Sequence, residues 1–462
     1  MENEFDLLVL GAGPGGYVAA IRAAQLGLRA AVIEKKNVGG VCLNIGCIPS
    51  KSLIHSASVF SSVKQLTAFG VSVDTAGFDY AAVFAQSRKV AEILSKGVQY
   101  LLEKNGVTVI YEEGRLVSHD QIRTQSGKVL QGKYILVATG SRPKRVPGLE
   151  FDGAQILSSD DILMSDSLPK SLCIIGGGAI GCEFAHIMRT FQVDVTLVEA
   201  EGQLLPAEDA EISKVLLSAF KKKRVAVHTG AKASVAVKTD QGVTVEICQE
   251  QGAAKQIVAE KVLVVAGRMP NTAGIGLEEC SVELQGGFIR VDDNFQTRVP
   301  GIFAIGDVIQ TPMLAHVASK EAELAVEFMA GATDAAGGAE GFSQFTPHCV
   351  YCEPQVAGFG MTEAQARDKG ASARTFPFRG VGKAVATEQS EGMVKIIADE
   401  EGYIKGAHIV GANATELIHE LALAAARGIK TRQIAEMIHA HPTLSESLME
   451  CARVFENRAI HI

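Results

Sequence analysis

A glycine-rich loop that occurs twice constrains the fold of this chain more than any other feature. The first copy, Gly11 to Gly16, lies between the apolar run Phe5 to Leu10 and a helical stretch from Tyr17 to Leu26. Glycines at Gly11, Gly13 and Gly16 allow a tight turn and let a pyrophosphate approach the backbone at the helix N-terminus. The order of strand, loop and helix therefore predicts a dinucleotide-binding βαβ unit.

An acidic residue follows the next strand of that unit. The apolar run Ala30 to Ile33 ends in Glu34. A carboxylate about 20 residues beyond such a loop accepts a hydrogen bond from a ribose hydroxyl. We therefore predict that Glu34 binds the ribose of the first dinucleotide.

The second copy of the loop repeats this arrangement. Strand Leu172 to Ile175 leads into the loop, a helical stretch follows from Cys182, and the next strand, Val193 to Val198, ends in an acid. Two loops imply two dinucleotides, and a terminal carboxylate suits the free 2′-hydroxyl of NAD but repels the 2′-phosphate of NADP. The residues predicted to bind this second dinucleotide are Gly176, Gly178, Ile180, Gly181 and Glu199.

Cys42 and Cys47 follow the first dinucleotide unit and are separated by four residues. In an ideal helix, Cα atoms at this spacing are about 8.6 Å apart, whereas a disulfide tolerates at most roughly 7 Å. The pair can bridge only if the turn is distorted, and Gly46 supplies the necessary backbone freedom, while Pro49 suits the first turn of a following helix. A thiol pair beside a cofactor loop indicates electron transfer between a disulfide and a dinucleotide. The alternative is two buried, reduced cysteines.

His441 and Glu446 form a second candidate site near the C-terminus. We predict that Pro442 occupies the first position of a helix, so that His441 precedes the helix and Glu446 lies about one turn into it. A carboxylate that holds one ring nitrogen makes the other a better base. A structural histidine that caps a helix, or a surface pair, is equally compatible with this spacing.

Composition argues against several classes of protein. The chain has 44 Lys and Arg against 52 Asp and Glu, a net charge of −8, which argues against nucleic-acid binding. No apolar stretch reaches the about 18 residues of a membrane span, and the acidic N-terminus enters a strand at once, so we expect no signal peptide. Nine cysteines, an odd number in a long chain, indicate a reducing cytoplasm and one redox pair.

Over essentially its whole length, the chain resembles the dihydrolipoamide dehydrogenases, which belong to the class I pyridine nucleotide-disulfide oxidoreductases. The family signature GGxCLNxGCxPSK is met by Gly39 to Lys51, and HPTLSE is met by His441 to Glu446. The resemblance implies that FAD binds to the first loop and NAD to the second. It also implies that Cys47 faces the flavin and that Cys42 meets the dithiol substrate.

The resemblance assigns further roles. Lys51 is expected near the flavin, paired with Glu183, and His441, oriented by Glu446, is expected to act as a base across a dimer interface. Asp307 is expected to bind the ribitol of FAD. The other implied cofactor contacts are Gly40, Gly114, Thr139, Gly140, Ser141, Met313, Leu314, Ala315, His316, Ala233 and Gly267.

The expected architecture is an α/β fold with two Rossmann-like dinucleotide-binding domains and a C-terminal α+β dimerisation domain. A chain of this length holds about three domains. The run Ile302 to Asp307 is predicted as a strand that ends in an acid and returns to the first domain, and Gly331 to Gly341 is expected to form a hinge. The predicted boundaries are 1–148 with 268–340 for the FAD domain, 149–267 for the NAD domain and 341–462 for the dimerisation domain.

The implied activity is oxidation of protein-bound dihydrolipoamide through a Cys42–Cys47 disulfide and FAD, with reduction of NAD+. Expected partners are a second copy of the chain and the lipoyl domains of 2-oxoacid dehydrogenase complexes or the H protein of glycine cleavage. Alternatives are a related NAD(P)H-dependent disulfide reductase and a non-catalytic subunit that binds flavin and NAD. Glu199 argues against an NADPH-dependent glutathione reductase. A mercuric reductase would carry a thiol pair near the C-terminus, where Cys451 is alone.

Three positions, Val41, Cys349 and Cys352, depart from the family pattern. Val41 stands where Thr is usual, so one hydroxyl contact is expected to be missing. Cys349 and Cys352 form a CxxC that the family normally lacks. Because residues three apart on a strand point to opposite faces, we expect core thiols rather than metal ligands.

Overall fold

The structure, a computed structural model, describes residues 3–249, 254–333 and 344–461. The chain forms two compact units. The first unit comprises Met1–Ser52, Ala81–Lys144 and Gly267–Ser343, and the second comprises Leu53–Tyr80, Arg145–Ala266 and Gln344–Ile462.

The strands in chain order are β1 (Glu4–Leu10), β2 (Ala30–Ile33), β3 (Thr108–Ile110), β4 (Gly114–Ser118), β5 (Gln121–Thr124), β6 (Val129–Val137), β7 (Ser141–Pro143), β8 (Ile156–Leu157), β9 (Ser171–Ile175), β10 (Asp194–Val198), β11 (Ala226–His228), β12 (Ala231–Thr239), β13 (Gly242–Gln249), β14 (Lys255–Ala259), β15 (Lys261–Val264), β16 (Arg268–Pro270), β17 (Leu284–Gln285), β18 (Phe288–Ile289), β19 (Ile302–Ala304), β20 (His348–Val350), β21 (Gln355–Gly360), β22 (Ala371–Pro377), β23 (Met393–Asp399) and β24 (Ile404–Gly411).

The α-helices are α1 (Pro14–Gln25), α2 (Gly40–Ile45), α3 (Cys47–Ser61), α4 (Val63–Ala68), α5 (Tyr80–Lys104), α6 (Ser159–Leu163), α7 (Ala179–Thr190), α8 (Ala210–Lys222), α9 (Ala315–Met329), α10 (Glu363–Arg367), α11 (Gly382–Ala386), α12 (Ala414–Ala426), α13 (Thr431–Glu436) and α14 (Glu446–Phe455). Short 3-10 helices occupy Gly306–Val308 and Phe378–Gly380.

A seven-stranded sheet organises the first unit. Its order is β3-β2-β1-β6-β5-β4, and β19 also pairs with β6. β1 lies parallel to both β2 and β6, and its central residues Leu7, Leu8 and Val9 are fully buried. Strands buried on both faces read as continuous apolar runs, which explains the pattern of β1. The pairing of β19 with β6 confirms the predicted return of this segment to the first unit.

The second unit contains a five-stranded parallel sheet of the same kind. Its order is β11-β10-β9-β15-β8, and a separate three-stranded antiparallel sheet runs β12-β13-β14. β9, α7 and β10 follow one another along the chain as β1, α1 and β2 do in the first unit. Both predicted strand–loop–helix–strand repeats are therefore present.

The C-terminal part of the second unit is built on an antiparallel sheet of order β20-β21-β24-β23-β22. Phe359, Ile396, Leu421 and Leu448 form part of one apolar core between this sheet and helices α12 and α14. The α+β prediction for this segment is confirmed.

The predicted domain boundaries remain a prediction. β7 pairs with β16 within the first unit. Most of the predicted hinge, from residue 334 onward, lies outside the described residues. Among the helices of the described ranges, none is both long enough and apolar enough to cross a bilayer.

Candidate active site

The first glycine loop is shaped by steric limits at two of its glycines. Gly11 has a φ of 102°, and a Cβ there would lie 2.4 Å from the carbonyl oxygen of Ala138. A Cβ on Gly16 would lie 1.9 Å from the carbonyl oxygen of Gly11. Gly13 precedes α1, and no atom lies within 4 Å of the position its Cβ would take. Open space at the N-terminus of a helix fits a pyrophosphate group.

The second glycine loop repeats this geometry. Gly176 has a φ of 114°, and a Cβ on Gly181 would lie 1.9 Å from the carbonyl oxygen of Gly176. Gly178 precedes α7 and has open space where its Cβ would lie. Ile180 lies in the first turn of α7. The second loop therefore also has room for a dinucleotide phosphate.

The two predicted ribose-binding carboxylates make equivalent bonds. Glu34 accepts a hydrogen bond at 2.8 Å from the backbone N–H of Ala12, and Glu199 accepts one at 2.6 Å from that of Gly177. The sequence separation is 22 residues in both cases. Each carboxylate thus lies beside its glycine loop, as the sequence predicted.

The thiol pair is attached to the first glycine loop through Gly40. Gly40 has a φ of 57°, and a Cβ there would lie 2.7 Å from the Cα atom of Gly13. The N–H of Gly39 donates a hydrogen bond of 2.7 Å to the carbonyl oxygen of Ala12. Because α2 begins at Gly40, these contacts fix the start of the helix that carries Cys42.

The predicted distortion between the two cysteines lies at Gly46. Helix α2 ends before this residue and α3 begins at Cys47. A Cβ on Gly46 would lie 2.8 Å from the carbonyl oxygen of Val41, so residue 41 constrains the turn through its backbone. Nothing in the structure explains why Val stands at position 41.

The environment of Cys42 contains opposing influences. A hydrogen bond with Cys47 and burial raise the pKa of Cys42 well above its usual range, and the positive charge of Lys51 offsets only part of that rise. Both cysteines are thiols in this structure, with Cys42 half-buried and Cys47 exposed.

The predicted Lys51–Glu183 pair remains a prediction. Lys51 lies on α3, where its Nζ approaches the hydroxyl of Ser50 at 3.5 Å. Glu183 is buried on α7 of the second unit and accepts a hydrogen bond of 3.1 Å from the N–H of Tyr351.

A polar cluster surrounds Asp307 in the first unit. The hydroxyl of Ser141 donates a hydrogen bond of 2.5 Å to the Asp307 carboxylate, and Arg268 Nε donates one of 2.7 Å to the same hydroxyl. Arg268 was not predicted as a site residue, because its partner Ser141 is 127 residues away in sequence.

The start of α9 lies close to the first glycine loop. A Cβ on Gly15 would lie 3.3 Å from the carbonyl oxygen of Ala318, and a Cβ on Gly306 would lie 3.2 Å from the Cβ of Ala318. Leu314 caps α9, which begins at Ala315. The fold therefore brings the predicted segment from Met313 to His316 and Asp307 towards the first glycine loop.

The other predicted cofactor contacts have varied surroundings. Thr139 lies against Gly11, and its hydroxyl donates a hydrogen bond of 2.7 Å to the carbonyl oxygen of Asn271. Gly114 lies on β4, and a Cβ there would meet apolar side chains from other strands. Ala233 lies on β12 opposite Ile247. Gly140 and Gly267 have φ values of 70° and 111°.

Glu321 was missed by the sequence analysis. Its side chain lies on α9, is fully buried and accepts a hydrogen bond of 2.6 Å from the N–H of Gly306. Burial raises the pKa of Glu321 to about 7, and the nearby Asp307 carboxylate adds to that shift. The available signal was an acid on an otherwise Ala- and Val-rich helix face.

His441 and Glu446 form the predicted pair, with 2.9 Å between His441 Nδ1 and Glu446 Oε1. The His441 side chain is 75% exposed. Burial tends to raise the pKa of Glu446, but hydrogen bonds from the N–H of Thr443 and from His441 hold it below its usual range.

The predicted helix start at Pro442 is wrong. Helix α14 begins at Glu446, four residues later. Thr443 explains the difference, because its N–H donates to Glu446 Oε2 at 2.9 Å and its hydroxyl donates to the carbonyl oxygen of Ala440 at 2.8 Å. These bonds hold residues 440–443 in a loop.

The predicted burial of the CxxC cysteines is confirmed for Cys352 and only in part for Cys349. Cys352 is fully buried, and Cys349 is half-buried against the apolar cluster beneath the sheet. Strand β20 ends at Val350, so only Cys349 lies on it.

Two family models match the chain. Residues 5–322 match the pyridine nucleotide-disulphide oxidoreductase family, and residues 346–452 match the dimerisation domain of the same family.

Curated relatives cover nearly the whole chain. A dihydrolipoyl dehydrogenase of Bacillus subtilis is 39% identical, and the match covers 100% of both chains. One from Chlorobaculum tepidum is 42% identical over 97% of this chain and 96% of its own. Among solved structures, LpdA from Mycobacterium tuberculosis has a TM-score of 0.88 and 28% identity, covering 97% of this chain and 99% of its own.

The geometry of the second loop generates a test that separates folding from ligand binding. We expect Gly178→Ala to leave the thermal unfolding temperature unchanged but to weaken NAD+ binding, because the added methyl enters open space where a phosphate would lie. The matched variant Gly181→Ala places its methyl against backbone and should lower the unfolding temperature. Unchanged NAD+ affinity in folded Gly178→Ala, measured by calorimetric titration, would contradict a dinucleotide site here.

The raised pKa of Glu321 generates a prediction of pH dependence. In the folded state the Glu321 carboxyl keeps its proton up to about pH 7, whereas in the unfolded state it loses the proton near pH 4.5. The free energy of unfolding should therefore fall by on the order of 2–3 kcal/mol as the pH rises between these values. Glu321→Gln mimics the protonated acid and should remove this slope. Urea unfolding between pH 4.5 and 7 tests this, with Glu323→Gln, a half-buried acid on the same helix, as control. Identical slopes in wild type and Glu321→Gln would exclude the effect.

Proposed function

The chain belongs to the pyridine nucleotide-disulphide oxidoreductase family, and we propose that it is a dihydrolipoyl dehydrogenase, which oxidises protein-bound dihydrolipoamide and reduces NAD+. Full-length curated relatives of this name, about 40% identical, support the assignment. The observation that carries it is the contact of Gly40 with Gly13, because it sets a thiol pair beside a dinucleotide loop.

The residues present fit two dinucleotides. FAD would be held by the first glycine loop, with Glu34 at the ribose and Asp307, ordered by Ser141, at the ribitol. NAD would be held by the second loop with Glu199 at the adenosine ribose. Open space at Gly13 and Gly178 supports both assignments. When bound, these cofactors supply the hydride chemistry, and the protein supplies orientation and electrostatics.

His441 would take the proton from a substrate thiol. Its Nδ1 faces the Glu446 carboxylate, so Nδ1 carries the hydrogen and Nε2 presents a lone pair. The depressed pKa of Glu446 keeps this carboxylate charged, and a charged carboxylate stabilises the imidazolium that forms.

The cysteine pair would then exchange with the substrate. The substrate thiolate attacks Sγ of Cys42 in the oxidised pair, and the Cys42–Cys47 bond breaks with its electron pair going to Sγ of Cys47. The second substrate thiol then attacks the mixed disulfide, closes the lipoamide ring and releases Cys42 as a thiolate. Two electrons move from substrate to protein, and the positive charge of Lys51 partly offsets the influences that raise the pKa of Cys42.

The working form would be a homodimer. The match of residues 346–452 to a dimerisation domain supports this state, and an isologous interface builds two identical sites at once. In this proposal His441 serves the thiol pair of the other subunit. Lipoyl domains of 2-oxoacid dehydrogenase complexes or the glycine cleavage H protein are the partners. The proposed location is the cytoplasm, because nine cysteines, an odd number in a long chain, are typical of a reducing compartment.

A direct assay tests the proposed function. Purified FAD-loaded protein should reduce NAD+ with dihydrolipoamide, and it should prefer NAD+ to NADP+. It should show little activity with NADPH and oxidised glutathione, because Glu199 disfavours a 2′-phosphate. Absence of NADH formation, or a preference for the glutathione reaction, would overturn the proposal.

Cys47→Ser is expected to abolish flavin reduction by dihydrolipoamide while FAD remains bound, because the disulfide can no longer form. Anaerobic absorbance of the bound flavin measures this directly. Cys248→Ser replaces another exposed cysteine and should leave the reaction intact. Normal dithiol turnover by Cys47→Ser would refute the assigned role.

Subunit mixing tests whether His441 acts in trans. Inactive Cys47→Ser and inactive His441→Ala are combined in equal amounts and allowed to exchange. Half of the dimers should be mixed, and each should regain one of two sites, so about a quarter of wild-type activity should return. If mixed dimers form but stay inactive, His441 serves its own subunit.

A further inference from the structure

Two histidines lie on the same face of the C-terminal sheet, on the two strands that flank β21. In the strand register, Gly358 on β21 is directly opposite His348 on β20 and also opposite His408 on β24. Directly paired residues project from the same face of a sheet. Because Gly358 has no side chain, the two imidazole rings converge above it, with 6.4 Å between their centroids.

A buried carboxylate completes this cluster. Glu208 lies in the segment before α8, and its side chain is 2% exposed. Its Oε2 lies 2.7 Å from His348 Nε2, and its Oε1 contacts His408 Nδ1. Each of the three residues offers one atom that could bind a metal ion, and these three atoms lie within 4.8 Å of one another.

Glycine at position 358 keeps the space between these atoms open. A Cβ at Gly358 would lie 2.6 Å from His408 Nδ1, 3.0 Å from Glu208 Oε2 and 3.1 Å from His348 Nε2. One point above the sheet is therefore close to all three donor atoms, and any side chain at this position would collide with them.

The second nitrogen of His408 is fixed by the backbone. His408 Nε2 lies 2.9 Å from the carbonyl oxygen of Met361. A carbonyl only accepts hydrogen bonds, so Nε2 carries a hydrogen and Nδ1 is the atom offered to the cluster. Metal-ligating histidines are oriented in this way by a backbone carbonyl on the other ring nitrogen.

We propose that Glu208, His348 and His408 form a site for a divalent transition-metal ion, with zinc as the best match. Two imidazoles and one carboxylate, with a fourth position for water, are a donor set that suits Zn2+. The ion replaces protons that the imidazoles share with the carboxylate. His348, with 38% of its side chain exposed, provides the entry path, and the bound ion ties the segment before α8 to the sheet.

A neighbouring cluster of three carboxylates already holds a positively charged side chain. Asp209, Glu211 and Glu363 surround Lys395 Nζ at 2.7 to 2.9 Å. The buried ammonium group of Lys395 already neutralises these carboxylates, so this cluster needs no metal ion.

Zinc binding by the oxidised, FAD-loaded protein tests the proposal, because a closed disulfide keeps Cys42 and Cys47 from binding the metal. Calorimetric titration with Zn2+ at neutral pH should show one site per subunit. In His348→Asn its affinity should fall by at least about tenfold, since loss of even an outer-shell partner costs 10–100-fold. Zn2+ should also raise the unfolding temperature of wild type but not of His348→Asn.

Two controls keep this result specific. His119→Asn removes an exposed histidine beside Asp120 and should leave the titration unchanged. Gly358→Ala keeps all three ligands but fills the space between them, and it should abolish binding, with FAD content and circular dichroism reporting the fold. An anomalous diffraction peak between the three donor atoms supports the site. Equal zinc affinity in wild type and His348→Asn, or a peak elsewhere, overturns it and leaves a hydrogen-bonded cluster only.

Discussion

The close contact between Gly40 and Gly13 is the constraint on which the rest of the candidate site depends. One glycine starts the helix that carries Cys42, and the other precedes α1 in the first glycine loop. With 2.7 Å from the Cα atom of Gly13 to the position of a Cβ on Gly40, no other residue fits without moving one element. The thiol pair and the dinucleotide loop are therefore held in one fixed arrangement, which disulfide-to-cofactor electron transfer requires.

The two glycine loops are each ordered by a single carboxylate. In each repeat, a carboxylate at the end of the second strand accepts a hydrogen bond from the second residue of the loop. Each carboxylate thereby orders the loop and also remains beside the ribose position. A substitution at Glu34 or Glu199 would thus disturb loop geometry as well as ligand contacts, so a loss of affinity alone does not measure the ribose interaction.

Local patterns predicted the parts of the fold that depend on local interactions. β2 was predicted with its observed bounds, Ala30–Ile33, because a short apolar run between polar residues has few alternatives. The start of α14 was predicted wrongly, since Pro442 suits a helix start but the bonds of Thr443 to Glu446 and Ala440 favour a loop. Arg268 was missed because its partner Ser141 lies 127 residues away in sequence. The Glu208 cluster was missed for the same reason, since its members are 140 and 200 residues apart.

The central claim is that one cysteine pair accepts the electrons of the substrate, and selective thiol labelling tests it most directly. Oxidised FAD-loaded protein is treated anaerobically with one equivalent of dihydrolipoamide per subunit, alkylated and analysed by peptide mass spectrometry. The account predicts new labelling at Cys42 and Cys47, reversed by NAD+ before alkylation, with the other seven cysteines unchanged. New labelling at Cys349 and Cys352, or none at all, would contradict it.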